Sequence, residues 1–336
     1  MKTFPRIRAS LGFGMVASLV VAVALPGVAS AQQTSVNGSL GVLQLRPNFY
    51  LIVAAGSNIG VQIGEDGVVL VDSGSTATAD QVLDAIKKLT NKPIRYIINT
   101  NSEPDHVGGN EKLAKAGQNL NGNRAGANFG TADSGAVIVA TEDVLTRMSA
   151  PTGKQGAWPS AAWPTETFFE QKYPLYLNDE GIETIRQLAA HSDDDASVFF
   201  RRSDVIMAGD VLDTTRFPRI DLDKGGSIQG EIDALDNLVD TAIPSIPLIW
   251  KAGGTYVVPG HGFVCDQADV VEYRDMVVII SDVIRDLIKS GQTLAQIKEA
   301  NPTQGYRSRY GTDSGPWTTD MFVEAIYKSL TAKGGK

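Results

Sequence analysis

The 336-residue chain is poor in the side chains that define several classes of protein. It contains a single cysteine, Cys265, and only three histidines. One cysteine cannot form an intramolecular disulfide bond or a cysteine-rich zinc site, so stability must come from a buried core. The formal net charge is −8, and no long run of lysine or arginine occurs. This charge pattern argues against a nucleic-acid partner.

Sequence motifs of two large enzyme groups are missing as well. The chain has no G-x-G-x-x-G or P-loop sequence that would bind a nucleotide cofactor. It also lacks the G-x-S-x-G elbow of the serine hydrolases. We therefore expect neither a nucleotide-cofactor site nor a catalytic serine.

The first 31 residues have the composition of an export signal. A basic start over residues 1–8 precedes an apolar run over Leu11–Leu25, and Ala29-Ser30-Ala31 provides the small residues that a signal peptidase requires. The apolar run of about 15 residues is shorter than the roughly 20 needed to cross a bilayer. We predict a signal peptide over residues 1–31 and a periplasmic or secreted protein with no membrane segment after cleavage.

Residues 32–336 alternate between strand and helix patterns. Short β-type runs predict strands, and apolar residues at helical spacing predict helices. The predicted strands are Phe49–Val53, Ile59–Ile63, Val68–Val71, Ile94–Ile98, Val137–Val139, Ser197–Phe200, Val205–Met207 and Tyr256–Val258. The predicted helices are Ala79–Leu89, Glu142–Met148, Ile232–Leu238, Tyr273–Ile288, Leu294–Ala300 and Met321–Leu330. We expect a single α/β domain over residues 32–336, with helices at its C-terminal end.

The three histidines all lie in polar loops, and none lies on an apolar helix face. His106 follows Asp105, His191 precedes an aspartate run, and His261 lies between two glycines after a predicted strand. Glu103 and Asp210 provide further carboxylates in similar positions. Imidazole and carboxylate groups at strand ends are the donors that a divalent metal site requires. From these residues alone, a metal site and ordinary loop histidines both remain open.

The segment from Asn99 to Asn110 resembles the signature loop of the metallo-β-lactamase superfamily, whose usual pattern is H-x-H-x-D-H followed by glycines. Other motifs similar to that family follow its order: Asp72-Ser73-Gly74, His191, Gly209-Asp210 and Gly260-His261-Gly262. The resemblance implies a four-layer αβ/βα sandwich of mixed sheets with outer helices. It also implies a dinuclear metal site at one edge of the two sheets.

One half of the implied metal site is intact in this chain. Matched to the family pattern, one metal ion would take Asp105, His106 and His261, and Asp210 would bridge the two ions. We call this set the Asp105 position. Asp105 would also orient or deprotonate a water molecule, and Asp72 resembles the buried acid that fixes the ligand loop.

The other half departs from the family pattern. The second ion would take Asn101, Glu103 and His191, where the family has histidines in place of Asn101 and Glu103. We call this set the Glu103 position. An Asn at the first place resembles the mononuclear β-lactamase branch, and a Glu at the second resembles the flavodiiron branch. These oxygen donors shift the metal preference of the Glu103 position from zinc toward iron or manganese, or leave the position empty.

The resemblance implies an exported metal-dependent hydrolase. Metal-activated water would cleave an amide, ester, thioester or lactone bond in a small-molecule substrate. The expected cofactor is one or two divalent ions, with zinc favoured and iron or manganese open at the Glu103 position. Two alternatives remain: a metal-depleted, non-catalytic binding protein on the same fold, and an iron-dependent oxidoreductase. The sequence indicates neither the substrate nor the oligomeric state.

Overall fold

The computed structural model describes residues 40–120, 135–151, 156–245 and 253–332. The predicted signal peptide over residues 1–31 lies outside these residues, and so does most of the glycine- and asparagine-rich segment between residues 117 and 135. Within the described ranges, no helix is both long enough and apolar enough to cross a bilayer.

The first sheet has seven strands, which lie in the sheet in the same order as in the chain. These strands are β1 (Gly41–Arg46), β2 (Phe49–Val53), β3 (Ile59–Ile63), β4 (Val68–Val71), β5 (Ile94–Ile98), β6 (Val137–Thr141) and β7 (Glu166–Phe168). Strands β1 to β4 pair antiparallel. Strands β4 to β7 pair parallel, so the ends of β4 and β5 meet at the same edge.

The second sheet has five strands in the order β12-β11-β10-β9-β8. These strands are β8 (Lys172–Leu177), β9 (Glu180–Arg186), β10 (Ala196–Phe200), β11 (Val205–Asp213) and β12 (Tyr256–His261). Neighbours pair antiparallel except β11 and β12, which are parallel. The carboxyl ends of β11 and β12 therefore also share one edge.

The helices of the described residues lie mainly on the outer faces of the two sheets. They are α1 (Ala79–Leu89), α2 (Pro104–Val107), α3 (Asn110–Ala116), α4 (Glu142–Ser149), α5 (Ile228–Thr241), α6 (Gln267–Lys289), α7 (Leu294–Glu299), α8 (Arg307–Tyr310) and α9 (Thr319–Thr331). Helices α1 and α3 pack on the first sheet, and α5, α6 and α9 pack on the second.

The core between the sheets explains why the central strands read as continuous apolar runs. Along β4, Val69 and Val71 pack toward the second sheet, while Val68 and Leu70 pack toward α1 and α3. A strand covered on both faces is apolar at nearly every position. The result is four layers, helix–sheet–sheet–helix, and it confirms the predicted fold class.

Several elements differ from the sequence-based prediction. Strands β1, β7, β8 and β9 were not predicted, and β8 shows why, since its residues alternate between exposed and partly buried and it includes Pro174. Helix α2 lies within the Asn99–Asn110 segment that the sequence indicates as a polar loop, and α3 begins at the last residue of that segment. Pro104 begins α2, because its fixed φ angle suits the first turn of a helix.

The two sheets are tied together at the edge where polar residues collect. The Nδ2 atom of Asn58, in the loop between β2 and β3, donates to the carbonyl oxygens of Pro259 at 2.9 Å and Gly262 at 3.1 Å. This contact holds the end of β12 against the first sheet. The segments after β4 and β5 therefore face the ends of β11 and β12.

Candidate metal centre

Asp105, His106, Asp210 and His261 converge at this edge. The Nε2 atom of His106 lies 3.1 Å from Oδ1 of Asp210. The Nε2 atom of His261 lies 3.3 Å from Oδ2 of Asp105 and 3.3 Å from Oδ1 of Asp210. Donor atoms around a tetrahedral zinc ion are separated by roughly 3.3 Å, given metal–ligand bonds near 2.0–2.1 Å. The Asp105 position therefore fits a single divalent ion.

Asp72 sets the orientation of the His106 ring. It adopts a left-handed backbone conformation (φ +63°) directly after β4 and is buried. Its Oδ1 accepts from the backbone N–H of Thr100 at 2.8 Å, and its Oδ2 accepts from the Thr100 hydroxyl at 2.8 Å. The same Oδ2 lies 2.8 Å from Nδ1 of His106. Because Nδ1 is engaged by the carboxylate, Nε2 is directed at Asp210, as in carboxylate–histidine–metal arrangements.

The titratable groups of the Asp105 position are strongly coupled. Burial opposes a charge on His106, but the neighbouring Asp210 and Asp72 carboxylates raise its pKa well above the usual value. Burial likewise opposes ionisation of Asp210, but His106 and His261 hold its pKa well below the usual value. Metal ligands bind in their deprotonated forms, so a divalent ion can take the place of the protons on the His106 and His261 rings.

The residues of the Glu103 position lie beside this cluster, but their side chains have other partners. The Oδ1 atom of Asn101 accepts from the backbone N–H of Glu103 at 2.8 Å, and its Nδ2 donates to Oδ2 of Asp210 at 3.1 Å. Glu103 forms an ion pair with Lys224 through Oε1, which also lies 3.7 Å from Nη1 of Arg219. Burial would raise the pKa of Glu103, but the contact with Lys224 and the charge of Arg219 lower it.

His191 completes this side of the site. Its Nδ1 lies 3.2 Å from Oδ1 of Asp195, while its Nε2 faces Oε1 of Glu103 at 4.0 Å. Burial lowers the pKa of His191, but the buried Asp195 carboxylate outweighs this effect and raises it to about 9. Within the part of the chain that the structure describes, Nε2 has no hydrogen-bond partner.

Several side chains at the centre were not identified from the sequence, foremost Lys224. The loop that carries Lys224 packs directly on the His191 loop: the backbone N–H of Asp193 donates to the Lys224 carbonyl at 2.9 Å. A Cβ atom at Gly226 would lie 2.3 Å from the His191 carbonyl oxygen, so only glycine allows this approach. The Gly225-Gly226 pair after Lys224 is the one signal in the sequence that indicates such close packing.

A cavity of about 290 Å³ meets the Asp105 position at His261. Its lining residues come from the β2–β3 loop and the end of β12: Val53, Ala54, Gly56, Ser57, Asn58, Gly260, His261, Gly262 and Phe263. His261 belongs both to this cavity and to the ligand cluster, so a small molecule in the cavity would lie next to one ligand residue of the centre.

Comparisons with known proteins identify the fold. A double mutant of the sec-alkyl sulfatase PisA1 matches with 14% identity and a TM-score of 0.60, over 88% of this chain and 51% of the sulfatase. The stereoselective inverting sec-alkylsulfatase Pisa1 from Pseudomonas sp. matches with 14% identity and a TM-score of 0.57, over 86% of this chain and 50% of the sulfatase. The chain thus spans about half the length of these sulfatases.

A metallo-beta-lactamase from Pontibacter korlensis matches with 17% identity and a TM-score of 0.52, over 71% of this chain and 99% of that protein. No curated protein matches the chain. The sequence model of the metallo-beta-lactamase superfamily, whose members bind divalent metals, matches residues 52–261. That range runs from β2 to the last residue of β12 and includes each predicted ligand, so the chain belongs to the metallo-beta-lactamase superfamily.

Proposed function

We propose that this protein is an exported, metal-dependent hydrolase of small molecules that cleaves an amide, ester, thioester or lactone bond. The observation that carries the proposal is the convergence of Asp105, His106 and His261, whose ligand atoms all lie within 4.8 Å of one another. His261 also lines a cavity, and the solved structures of similar fold include hydrolases. Export is supported by the basic and apolar segments of residues 1–31; a purified mature protein that begins at Gln32 would agree with it.

The residues of the Asp105 position have distinct roles in this proposal. A bound divalent ion, with zinc the favoured one, supplies a Lewis acid for the substrate carbonyl and a water molecule that ionises near neutral pH. His106 is fully buried and held by Asp72, so it fixes the position of the ion. The Asp105 side chain is 35% exposed, so its carboxylate is accessible to water. It can therefore orient the attacking water and accept its proton.

Metal analysis and substrate hydrolysis test this proposal together. We expect the purified protein to contain bound metal and to hydrolyse members of a panel of lactone, thioester, ester and β-lactam compounds. Asp105→Asn should lower the rate by about 100-fold or more, as expected for a lost general base. His261→Ala should lower both metal content and rate, because it removes a ligand.

The matched control is Asp84→Asn, which changes an exposed aspartate on α1 and should leave metal content and rate unchanged. A protein that binds no metal, hydrolyses nothing and keeps its melting temperature in chelator would contradict the proposal. That result would support a non-catalytic binding protein on the same fold. Bound iron with a visible absorption band and redox activity would support an oxidoreductase.

A further inference from the structure

We propose that the ammonium group of Lys224 takes the place of a metal ion at the Glu103 position, so that the centre binds one ion, at the Asp105 position. This inference rests on the proposed function, because it concerns the composition of the same site. It departs from the dinuclear centre that the family resemblance implies, and it depends on contacts that are particular to this chain.

The first argument is the ion pairing of Glu103. Its Oε1 atom contacts the ammonium group of Lys224, lies 3.7 Å from the Arg219 guanidinium, and is also the oxygen nearest to Nε2 of His191. A metal ion held by His191 and by the Glu103 oxygen nearest to it would share that oxygen with both cations. It would then lie within a few ångströms of two positive side chains, and like charges at that distance repel strongly where burial limits screening by solvent.

The second argument is the orientation of the Asn101 amide. Its oxygen, the atom that could bind a metal, accepts the backbone N–H of Glu103. Its amide nitrogen donates to Oδ2 of Asp210. The bridging carboxylate thus receives a hydrogen bond on the side where a second ion would bind, and a donor N–H cannot bind a cation.

The third argument is that hydrogen bonds within its own loop and to neighbouring segments hold Lys224 in place. Its backbone N–H donates to the Asp221 carbonyl at 3.0 Å, and its carbonyl accepts from Asp193 at 2.9 Å and from Nη2 of Arg147 at 3.0 Å. The side chain is only 21% exposed, and Nζ lies 3.8 Å from Oδ2 of Asp221. A lysine fixed in this way differs from a surface lysine, which samples many positions in solvent.

His191 makes the inference testable. Its Nε2 atom is buried and has no hydrogen-bond partner among the described residues, so it remains a potential ligand. Removing the Lys224 ammonium group would leave His191 and Glu103 facing each other beside Asp210, while the half-exposed Arg219 can turn toward Asp221, whose Oδ2 lies 3.1 Å from its Nη2. His191, Glu103 and Asp210 could then bind a second ion.

The experiment counts metal ions per chain in the full-length protein and two variants. Each protein is stripped with chelator and titrated with Zn²⁺, with the stoichiometry measured by calorimetry and by elemental analysis after desalting. We expect one ion per chain in the wild type, two in Lys224→Ala, and one in Lys224→Arg, which keeps the positive charge. Lys115→Ala is the control, because it removes an exposed lysine paired with Glu111 and should leave the stoichiometry at one ion per chain.

Each outcome decides the inference separately from the proposed function. Two ions in the wild type, or one in Lys224→Ala, would overturn the role of Lys224 while leaving a metal-dependent hydrolase intact. One ion in an inactive wild type and two in Lys224→Ala would support the role of Lys224 and contradict the hydrolase. A wild type that binds no ion would overturn both. Lys224→Met, which keeps the length of the side chain, replaces the alanine variant should that variant not fold.

Discussion

Glu231 is a buried carboxylic acid close to the candidate centre but outside the ligand set. It lies in the first turn of α5, and neither of its carboxylate oxygens has a hydrogen-bond partner among the residues described. Burial, together with the negative charges of Asp195 and Asp210, raises its pKa well above the usual value, against the opposing effect of His191. The folded protein therefore holds Glu231 in its neutral form over a pH range in which the unfolded chain ionises it.

This raised pKa predicts that the difference in stability between the wild type and Glu231→Gln grows with pH. Above the ordinary glutamate pKa, the unfolded state loses a proton that the folded state keeps, so the wild type loses up to about 1.4 kcal/mol of stability per pH unit through this group. Glu231→Gln removes this loss. We expect the variant to gain stability relative to the wild type as the pH rises from 4 to 8, measured by urea denaturation at each pH.

Glu299→Gln, an exposed change at the end of α7, is the control for that experiment and should follow the wild type at every pH. Parallel stability profiles for Glu231→Gln and the wild type would show that Glu231 ionises normally in the folded protein.

At the residue level, the histidines and carboxylates in polar loops left a metal site open, and the family resemblance assigned Asp105, His106 and His261 as ligands. The structure brings the ligand atoms of these three residues within 4.8 Å of one another. Lys224 was not identified, because lysine is common on surfaces and its contact with Glu103 depends on how two distant loops pack.

Among the structural elements, the loop between β11 and α5 positions the side chains of the Glu103 position. It carries Lys224 and packs against the His191 loop through the Ser227 and Asp221 backbone N–H groups, which donate to carbonyl oxygens of residues 189–191. The fit depends on Gly226, where a Cβ atom would lie 2.3 Å from the His191 carbonyl oxygen and 2.9 Å from that of Ala190.

Gly226→Ala should therefore force the two loops apart. We expect a loss of about 1–3 kcal/mol in the free energy of unfolding, the usual cost of overpacking a tight contact. Gly305→Ala is the matched control, because a Cβ atom there meets nothing within 4 Å, and its effect should stay within about 0.5 kcal/mol. Equal stabilities for the two variants, measured by urea denaturation, would contradict the close packing of the loops.

Strand prediction depended on whether both faces of a strand are covered. The strands β2 to β5 were predicted with the bounds that the structure has, because β2 and β4 are uninterrupted apolar runs and β3 and β5 are mainly apolar, with Gln62 and Arg95 as their polar residues. Strand β8 lies at the edge of the second sheet with three exposed residues, so its composition resembles a loop. The four-residue helix α2 is too short to show any periodicity, and only Pro104 indicates where it begins.

For the whole molecule, the candidate centre links the two sheets. Asp105 and His106 follow β5 of the first sheet, while Asp210 and His261 belong to β11 and β12 of the second. An ion bound by all four residues binds only the folded state. It therefore stabilises the whole fold, by an amount that rises with the logarithm of the free ion concentration once this exceeds the dissociation constant.

We expect Zn²⁺ at one hundred times its dissociation constant to stabilise the protein by about 2.7 kcal/mol, which should raise the melting temperature by several degrees. Excess chelator should reverse the shift, and His261→Ala should abolish it. The measurement is a calorimetric melt with and without Zn²⁺. An unchanged melting temperature for the wild type would show that no ion links the sheets.

The position of His261 at the end of β12 also has a consequence for biosynthesis. Of the four residues of the Asp105 position, it is the last to be translated, and its strand is the last one in the described chain. A nascent polypeptide that has grown only to residue 255 already carries Asp105, His106 and Asp210 but lacks the fourth donor. An ion held by all four residues can therefore bind only after residue 261 has been added to the chain, when the described strands of both sheets have been synthesised.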